Sequence, residues 1–321
     1  MAKFLTLGEP LVVLASQDVD VPLDFAAHFT KFIAGAELNV ALGIRRLGHE
    51  ATYVSKVGTD SFGRFIIENA RSAGIDVADL TSSSDLTGFY LKQKVSTGDP
   101  AVAYFRKNSA ASNLSAAEIS DAVFEGTVLA HLTGIFPALS KTALETFKIF
   151  NQKLNERRIL TVFDPNLRPA LWNSPEEMVR TVNALAQNSQ IILPGINEGE
   201  MLMGSRHPEA IADFYLNQSE LTQTVIVKLG SEGAFVKQKS GAHFTVEGFK
   251  VTEVVDTVGA GDGFAVGLES ALLEQKPLEI AVHRACAIGA LAVQTAGDND
   301  GYPTRAGLAA FYQKYNYKGD L

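Results

Sequence analysis

Cysteine is nearly absent: Cys286 is the only one in 321 residues. A single thiol cannot close an internal disulfide, and such scarcity suits a reducing cytoplasm. The six histidines are scattered and, with one cysteine, offer no zinc-ligand spacing. No apolar run reaches the length of a membrane span. The opening residues, Met1 to Gly8, enter a strand pattern directly and lack the form of a signal peptide. Positive charge is short as well. Lys and Arg number 28 against 36 Asp and Glu, a net charge of −8. That balance argues against nucleic acid or an anionic membrane as a partner. Two nucleotide-binding signatures are missing. No Gly-Lys-Ser/Thr occurs anywhere, so there is no Walker A loop. No Gly-x-Gly-x-x-Gly follows the first strand, and Phe264 stands where a third glycine would fall near residue 260.

What is present describes a soluble globular protein, 46% hydrophobic and 20% charged. There is no repeat, low-complexity tract or obvious linker, so residues 1–321 are expected to form one domain. Phe4 to Leu7 and Leu11 to Ala15 read as strands around the Gly8-Glu9-Pro10 break. Pro22 to Ile33 reads as a less regular connection. Glu37 to Leu47 repeats apolar residues at helical spacing and stops at Gly48. Strand, turn and helix then alternate along the chain. Strands fall at Thr52–Val57, Val128–Leu132, Ile159–Phe163, Gln190–Leu193 and Thr224–Leu229. Ser115 to Glu118 and Ser174 to Glu177 read as capping boxes. The alternation predicts an α/β fold with a mostly parallel sheet flanked by helices. It breaks at Thr87–Ser96 and Ala101–Lys107, separated by Thr97-Gly98-Asp99-Pro100, which read as a hairpin. Tyr90, Tyr104 and Arg106 alternate onto one face of it, as a lid would require. An edge hairpin packed on the sheet is the alternative.

The rest of the chain is organised around Asp256-Thr257-Val258-Gly259-Ala260-Gly261-Asp262-Gly263. It follows a β-like run, Phe249 to Val255, and leads into a helical segment. A glycine loop at a helix start leaves backbone N–H groups unpaired, and with the dipole they attract an anion. A carboxylate at position 262 beside that anion only repels it, unless it accepts a proton from an attacking hydroxyl. That is the general-base arrangement of a phosphoryl transferase. An ordinary capped helix is the alternative. Five strand ends are polar: Gly58 to Asp60, Thr133-Gly134, Asp164 to Arg168, Pro194 to Glu200 and Lys228 to Gly233. In an open α/β sheet they are expected to converge on one crevice.

Asp256 to Asp262 resembles the C-terminal signature of the ribokinase-like (PfkB) carbohydrate kinases. Gly35-Ala-Glu-Leu-Asn39-Val-Ala41, followed by Gly48 and Gly58, resembles their N-terminal signature. The resemblance covers essentially the whole chain and implies a Rossmann-like ribokinase fold with a small β-sheet lid from about residues 10–34 and 85–110. It implies an ATP-dependent kinase in which Asp262 is the base and Gly259, Ala260 and Gly261 form the anion hole. Asn197-Glu198-Gly199-Glu200 matches an Asn-x-x-Glu element that helps to place Mg²⁺, with Glu200 acting through water. Lys228, Gly230 and Gly233 are candidate nucleotide contacts, and the adenine pocket is expected near 283–297. Gly35 and Asn39 resemble sugar-hydroxyl contacts; the usual Gly-Gly pair is Ala34-Gly35 here. Glu37 either bonds sugar hydroxyls or sits at a helix start. Asp256 belongs to a neighbourhood that in the family can hold a monovalent cation such as K⁺, with Gly297 to Gly301 nearby; a plain turn with surface acids is the alternative. Tyr104 to Ser112 and Asp164 to Trp172 look like the 2-keto-3-deoxygluconate kinases within the family. Two arginines, Arg106 and Arg168, would suit a sugar carboxylate while Tyr90 and Tyr104 cover the carbon chain. The alternative for Arg106 is a surface strand residue paired with an acid, and for Arg168 a contact to ATP phosphate. The expected reaction is transfer to the 6-hydroxyl of that sugar acid. Fructokinase, another sugar-acid kinase and a non-catalytic sugar-acid binder are the rivals. Homo-oligomers through the lid are a further expectation.

Overall fold

The computed structural model describes residues 3–78, 80–98 and 100–319. Met1, Ala2, Asp99 and the last two residues, included in the expectations above, lie outside the described residues.

Among the described residues there are two sheets, and the larger has nine strands in the order β13-β12-β11-β10-β9-β8-β1-β4-β5. They are β1 (Lys3–Leu7), β4 (Glu50–Gly58), β5 (Leu80–Ser83), β8 (Thr127–Thr133), β9 (Leu160–Asp164), β10 (Ile191–Ile192), β11 (Thr224–Lys228), β12 (Gly233–Gln238) and β13 (His243–Glu247). From β11 through β5 every pairing is parallel; β12 and β13 add antiparallel strands at one edge. Val225, Ile226 and Val227 are fully buried, as expected of a parallel strand covered on both faces. The second sheet has four strands in the order β3-β2-β6-β7: β2 (Leu11–Val19), β3 (Phe29–Ala34), β6 (Phe89–Lys94) and β7 (Val102–Phe105).

Helices cover both faces of the large sheet. On one side pack α1 (Ala36–Arg46), α2 (Ser61–Ser72), α7 (Ala260–Leu273), α8 (Leu278–Ala292) and α9 (Arg305–Lys314). On the other lie α3 (Lys141–Glu156), α4 (Pro175–Ala186), α5 (Ile196–Met203) and α6 (Pro208–Gln218). Their starts follow sequence chemistry. Asp60 caps α2 by accepting from Phe62 and Gly63, Ser140 caps α3 and Ser174 caps α4 just before Pro175.

Two local expectations fail. Phe249 to Val255 is not a strand. Among the described residues no strand pairs with it; Val255 instead donates to the Val293 carbonyl at the end of α8 at 2.8 Å. Within Pro22 to Ile33, read as irregular, Phe29 onward forms β3, because β2 supplies a full antiparallel ladder from Leu11↔Ala34 to Ser16↔Phe29. The chain leaves β1 for the small sheet and α1, returns on one side as β4, and later builds β8 on the other. The carboxyl ends beside β1 are therefore a topological switch point, where α/β sheets bind ligands.

Candidate active site

Gly259 opens α7 at φ 79°. A Cβ there would lie 1.8 Å from the Asp298 carbonyl oxygen, so only glycine fits. The first intrahelical bond is made by Gly263 to Gly259 at 2.8 Å. The N–H groups of Gly261 and Asp262 precede it and face outward from the helix start, where the dipole is positive. Tyr302 holds the turn from behind, donating to the Gly259 carbonyl at 2.8 Å.

Asp262 sits on the floor of a cavity of ≈ 350 Å³ between the two sheets. Its carboxylate accepts from Asn39 Nδ2 at 2.9 Å and from Asn166 Nδ2 at 3.3 Å. Burial pushes its pKa up to about 6, against the pull of the Asn39 bond and with help from the nearby Asp164 charge. Asn39 projects from the first turns of α1, which Gly35 starts at φ 125° against the Glu9 carbonyl.

One wall is an ion pair: Lys228, ending β11, donates to Asp164, ending β9, at 2.6 Å. Burial works against the Lys228 ammonium, but Asp164 and Glu198 hold its pKa above the ordinary value. Glu198, in the first turn of α5, accepts from the N–H groups of Gly195 and Leu167. Burial raises its pKa, with Lys228 pulling the other way.

The opposite wall comes from the small sheet. Tyr90 and Tyr104 face each other across β6 and β7, ring centroids 5.1 Å apart. Arg106 lines the same cavity, yet its charge is already matched. Its Nε donates to Glu9 Oε2 at 2.7 Å, and Nη2 meets the same oxygen. Glu9 is only 2% exposed. Arg168 differs: its Nη1 donates to the Leu167 carbonyl at 2.9 Å, and among the described residues no carboxylate pairs with it.

Glu37 is buried beneath this floor. Thr133 donates to its Oε1, while Oε2 has no partner among the described residues. Burial pushes its pKa up to about 7, opposed by the Thr133 bond. A second cavity, ≈ 410 Å³ and mainly apolar, lies on the other side of Gly261. Gly230, Gly233, Phe249, Cys286 and Ala290 line it, and Lys228, Thr257 and Gly261 border both cavities.

The structure thus gathers Gly35, Asn39, Tyr90, Tyr104, Arg106, Arg168, Lys228, Gly259, Gly261 and Asp262 around one cavity, with Gly230 and Gly233 around the next. Others fall elsewhere. Asn197 and Glu200 share the outward side of α5, where both accept from Arg206. Glu198, one helical step from Asn197, is the α5 residue at the cavity wall. Of the five polar strand ends, two do not line the cavity: Asp60, after Gly58, is spent on capping α2 and on the Thr87 N–H, and Thr133, before Gly134, reaches the site only through Glu37. Asp256 is paired with Lys92 at 2.7 Å and accepts from the Val258 N–H at 3.0 Å. Sequence reasoning missed Glu9, and it reached Asn166 and Asp298 only as members of the segments 164–168 and 297–301, without singling them out. A glutamate beside a glycine at the end of a buried strand was the available signal for Glu9.

The chain matches the pfkB family carbohydrate kinases over residues 3–305. It is 45% identical over 310 residues to the 2-dehydro-3-deoxygluconokinase of Bacillus subtilis, covering 96% of this chain and 94% of the relative. The 2-dehydro-3-deoxygluconokinase of Thermoproteus tenax is 33% identical, over 95% of this chain and 92% of the relative. A solved structure from Escherichia coli, of a protein proposed to be a ribokinase II in complex with ATP and Mg²⁺, aligns with a TM-score of 0.89 at 26% identity, covering 98% of this chain and 100% of that one. The ribokinase-like α/β architecture expected from the two signatures is the one observed. From the family match across most of its length and relatives that share its whole span, the chain belongs to the pfkB family of carbohydrate kinases.

Proposed function

We propose that this kinase transfers the γ-phosphoryl group of ATP to the 6-hydroxyl of 2-keto-3-deoxygluconate, in the cytoplasm. One observation carries the reading: a guanidinium without a carboxylate partner among the described residues, Arg168, shares a ≈ 350 Å³ cavity with the buried carboxylate of Asp262. A neutral sugar needs hydroxyl partners; a sugar acid needs a cation at one end and a base at the other. The similar kinases of Bacillus subtilis and Thermoproteus tenax support the same substrate.

In this mechanism the sugar lies between the large sheet and a lid made of residues 10–34 and 85–110, within a single domain. Asn39 and Gly35 meet its hydroxyls, Tyr90 and Tyr104 cover its carbon chain, and Arg168 takes its carboxylate. Arg106 adds a donor whose charge Glu9 has already balanced. The 6-hydroxyl oxygen attacks the γ-phosphorus, the bond to the β–γ bridging oxygen breaks, and ADP leaves. Asp262 receives the hydroxyl proton. The N–H groups at 259–262 carry the charge of the transferring group. ATP lies through the gap at Gly261, its base in the apolar second cavity beside Gly230 and Gly233 and its phosphates near Lys228. The donor set fits Mg²⁺ held through water, since Asp164 and Glu198 present carboxylates at the wall and Mg²⁺ takes one or two of these plus phosphates. Glu200 would join them only by leaving Arg206. Bound there, the ion would neutralise phosphate charge. The abutment of Gly259 on Asp298, beside Asp256, supports a monovalent-cation site at these turns; turnover in potassium against choline salts tests it. The lid strands are also the surface we assign to self-association.

A coupled ADP-release assay over sugars and sugar acids tests the substrate: fructose outperforming the acid would reverse the choice, and binding without turnover would remove the kinase reading. Asp262→Asn should fold and bind as the parent does but turn over about 10²–10⁴-fold more slowly, the usual worth of one general base. Near-parental turnover by that variant would overturn the assignment of the base.

A further inference from the structure

We infer that Asn299 and Arg46 are positioning residues for Asp262, acting through Asn39 in a hydrogen-bond relay of fixed polarity. The inference rests on the reading of Asp262 as the base. The relay has four members from three separate segments. Arg46, in the last turn of α1, donates through Nη2 to Asn299 Oδ1 at 3.3 Å. It also donates through Nη1 to the Asn299 and Tyr302 carbonyls. Asn299 Nδ2 donates to Asn39 Oδ1 at 3.0 Å, and Asn39 Nδ2 donates to Asp262 Oδ2 at 2.9 Å. Asn39 and Asn299 are both buried, 2% and 8% exposed.

The direction of every bond follows from the two ends. A guanidinium can only donate, so Asn299 must turn its oxygen toward Arg46 and its amide toward Asn39. Asn39 then has no choice but to present its own amide to Asp262, which as a carboxylate can only accept. A carboxamide turned the other way would set oxygen against oxygen at the base. The same turn serves the anion hole, because Tyr302 donates to the Gly259 carbonyl, which also accepts the first intrahelical bond of α7 from the Gly263 N–H. Arg46 therefore ties the base and the anion hole to one anchor.

Other charged groups also face Asp262: Asp164 at the end of β9, Arg168 in the loop after it, His131 on β8, Glu37 on α1, Lys228 at the end of β11, and the Tyr302 hydroxyl. None of these is altered by Asn299→Leu, which adds no charge, so that variant tests the Asn39 bond separately. Its loss removes a donor that favours the ionised form.

The test is the pH profile of kcat/KM, with Asn299→Asp as the main variant. Aspartate is isosteric, keeps Arg46 as a partner, and can only accept. It would draw the Asn39 amide away and turn its oxygen to Asp262. The acid limb should move up by about one pH unit or more, the scale of one charge-assisted hydrogen bond reversed. Activity should return at high pH, with KM for the sugar acid changed less than threefold. Asn299→Leu, which removes the donor without reversing it, should move the limb less. Carbon-13 titration of the Asp262 carboxyl in the ligand-free Asn299→Asp protein reads the same shift without turnover. A uniform fall in rate at every pH, or an unmoved carboxyl titration, would overturn the relay. The base reading fails by a different result: Asp262→Asn retaining both parental rate and the acid limb.

Discussion

At the scale of single residues, the two arginines of the cavity have opposite surroundings, and this separates their effects. Among the described residues Arg168 hydrogen-bonds only to backbone carbonyls of its own loop, so its removal breaks no ion pair with a buried acid. Arg168→Gln should raise KM for the sugar acid by about 10–100-fold, the worth of one charge-assisted pair, while the melting temperature stays within a degree or two. Arg106 is bound to Glu9, whose side chain is 0% exposed. Arg106→Gln leaves that carboxylate without its cation, and breaking a buried pair costs about 3–5 kcal/mol. It should lower thermal stability plainly, and Glu9→Gln combined with it should restore part of the loss. Steady-state kinetics beside calorimetry on the same variants decide the matter. If Arg168→Gln leaves KM for the acid unchanged, the sugar carboxylate is held elsewhere.

At the scale of elements, α1 is joined to the end of β8 by Glu37 and Thr133, and Thr133 in turn accepts from the Ile135 N–H at 3.0 Å. The Glu37 carboxyl is raised by burial from 4.5 to about 7. The folded state thus holds a proton that the unfolded chain has already released. Its contribution to stability is full below pH 4.5 and is lost as pH rises through 7, by about 3 kcal/mol. Glutamine cannot titrate, so the stability of Glu37→Gln relative to the parent should climb by that amount between pH 5 and 8 in denaturant titrations. A pH-independent difference would contradict it. The same element shows what a sequence can carry. The helical spacing of Leu38, Ala41, Leu42 and Ile44, and the glycines at the start of α7, are local signals, and both elements were legible. So were Asp262 and the turn before it. Phe249 to Val255 has strand-like residues but meets the end of α8 instead of a ladder. β3 was missed because its partner, β2, decides its conformation. Glu9 meets Arg106 97 residues away, and Asn299 meets Asn39 260 residues away. No local pattern encodes such pairs, so their part in the site emerges only from the fold.

At the scale of the whole molecule, the cavity lies where the two sheets meet, and named side chains help to fix that meeting. Two come from β6. Tyr90 donates to Asp298 Oδ2 at 3.2 Å, and Lys92 donates to Asp256 Oδ2 at 2.7 Å. Both acceptors flank Gly259: the Asp298 carbonyl packs against it, and the other oxygen of Asp256 receives the Val258 N–H at 3.0 Å. The position of the small sheet is therefore transmitted to the helix start that would hold the phosphoryl group. The Lys92 and Asp256 side chains are 15% and 21% exposed, too buried for the pair to be dismissed as a surface contact. Lys92→Met should loosen the meeting of the sheets without touching the ≈ 350 Å³ cavity, which Lys92 does not line. We expect kcat to fall about tenfold, the ratio of ADP released to sugar phosphorylated to rise above one as water enters, and KM to change little. Asp256→Asn should act alike, and the double variant should be no worse than either single one, because both remove the same contact. Strictly multiplied losses in the double variant, or a product ratio that stays at one, would mean that the small sheet is held to the helix start by other contacts and that Lys92 is only a solubilising charge at its rim.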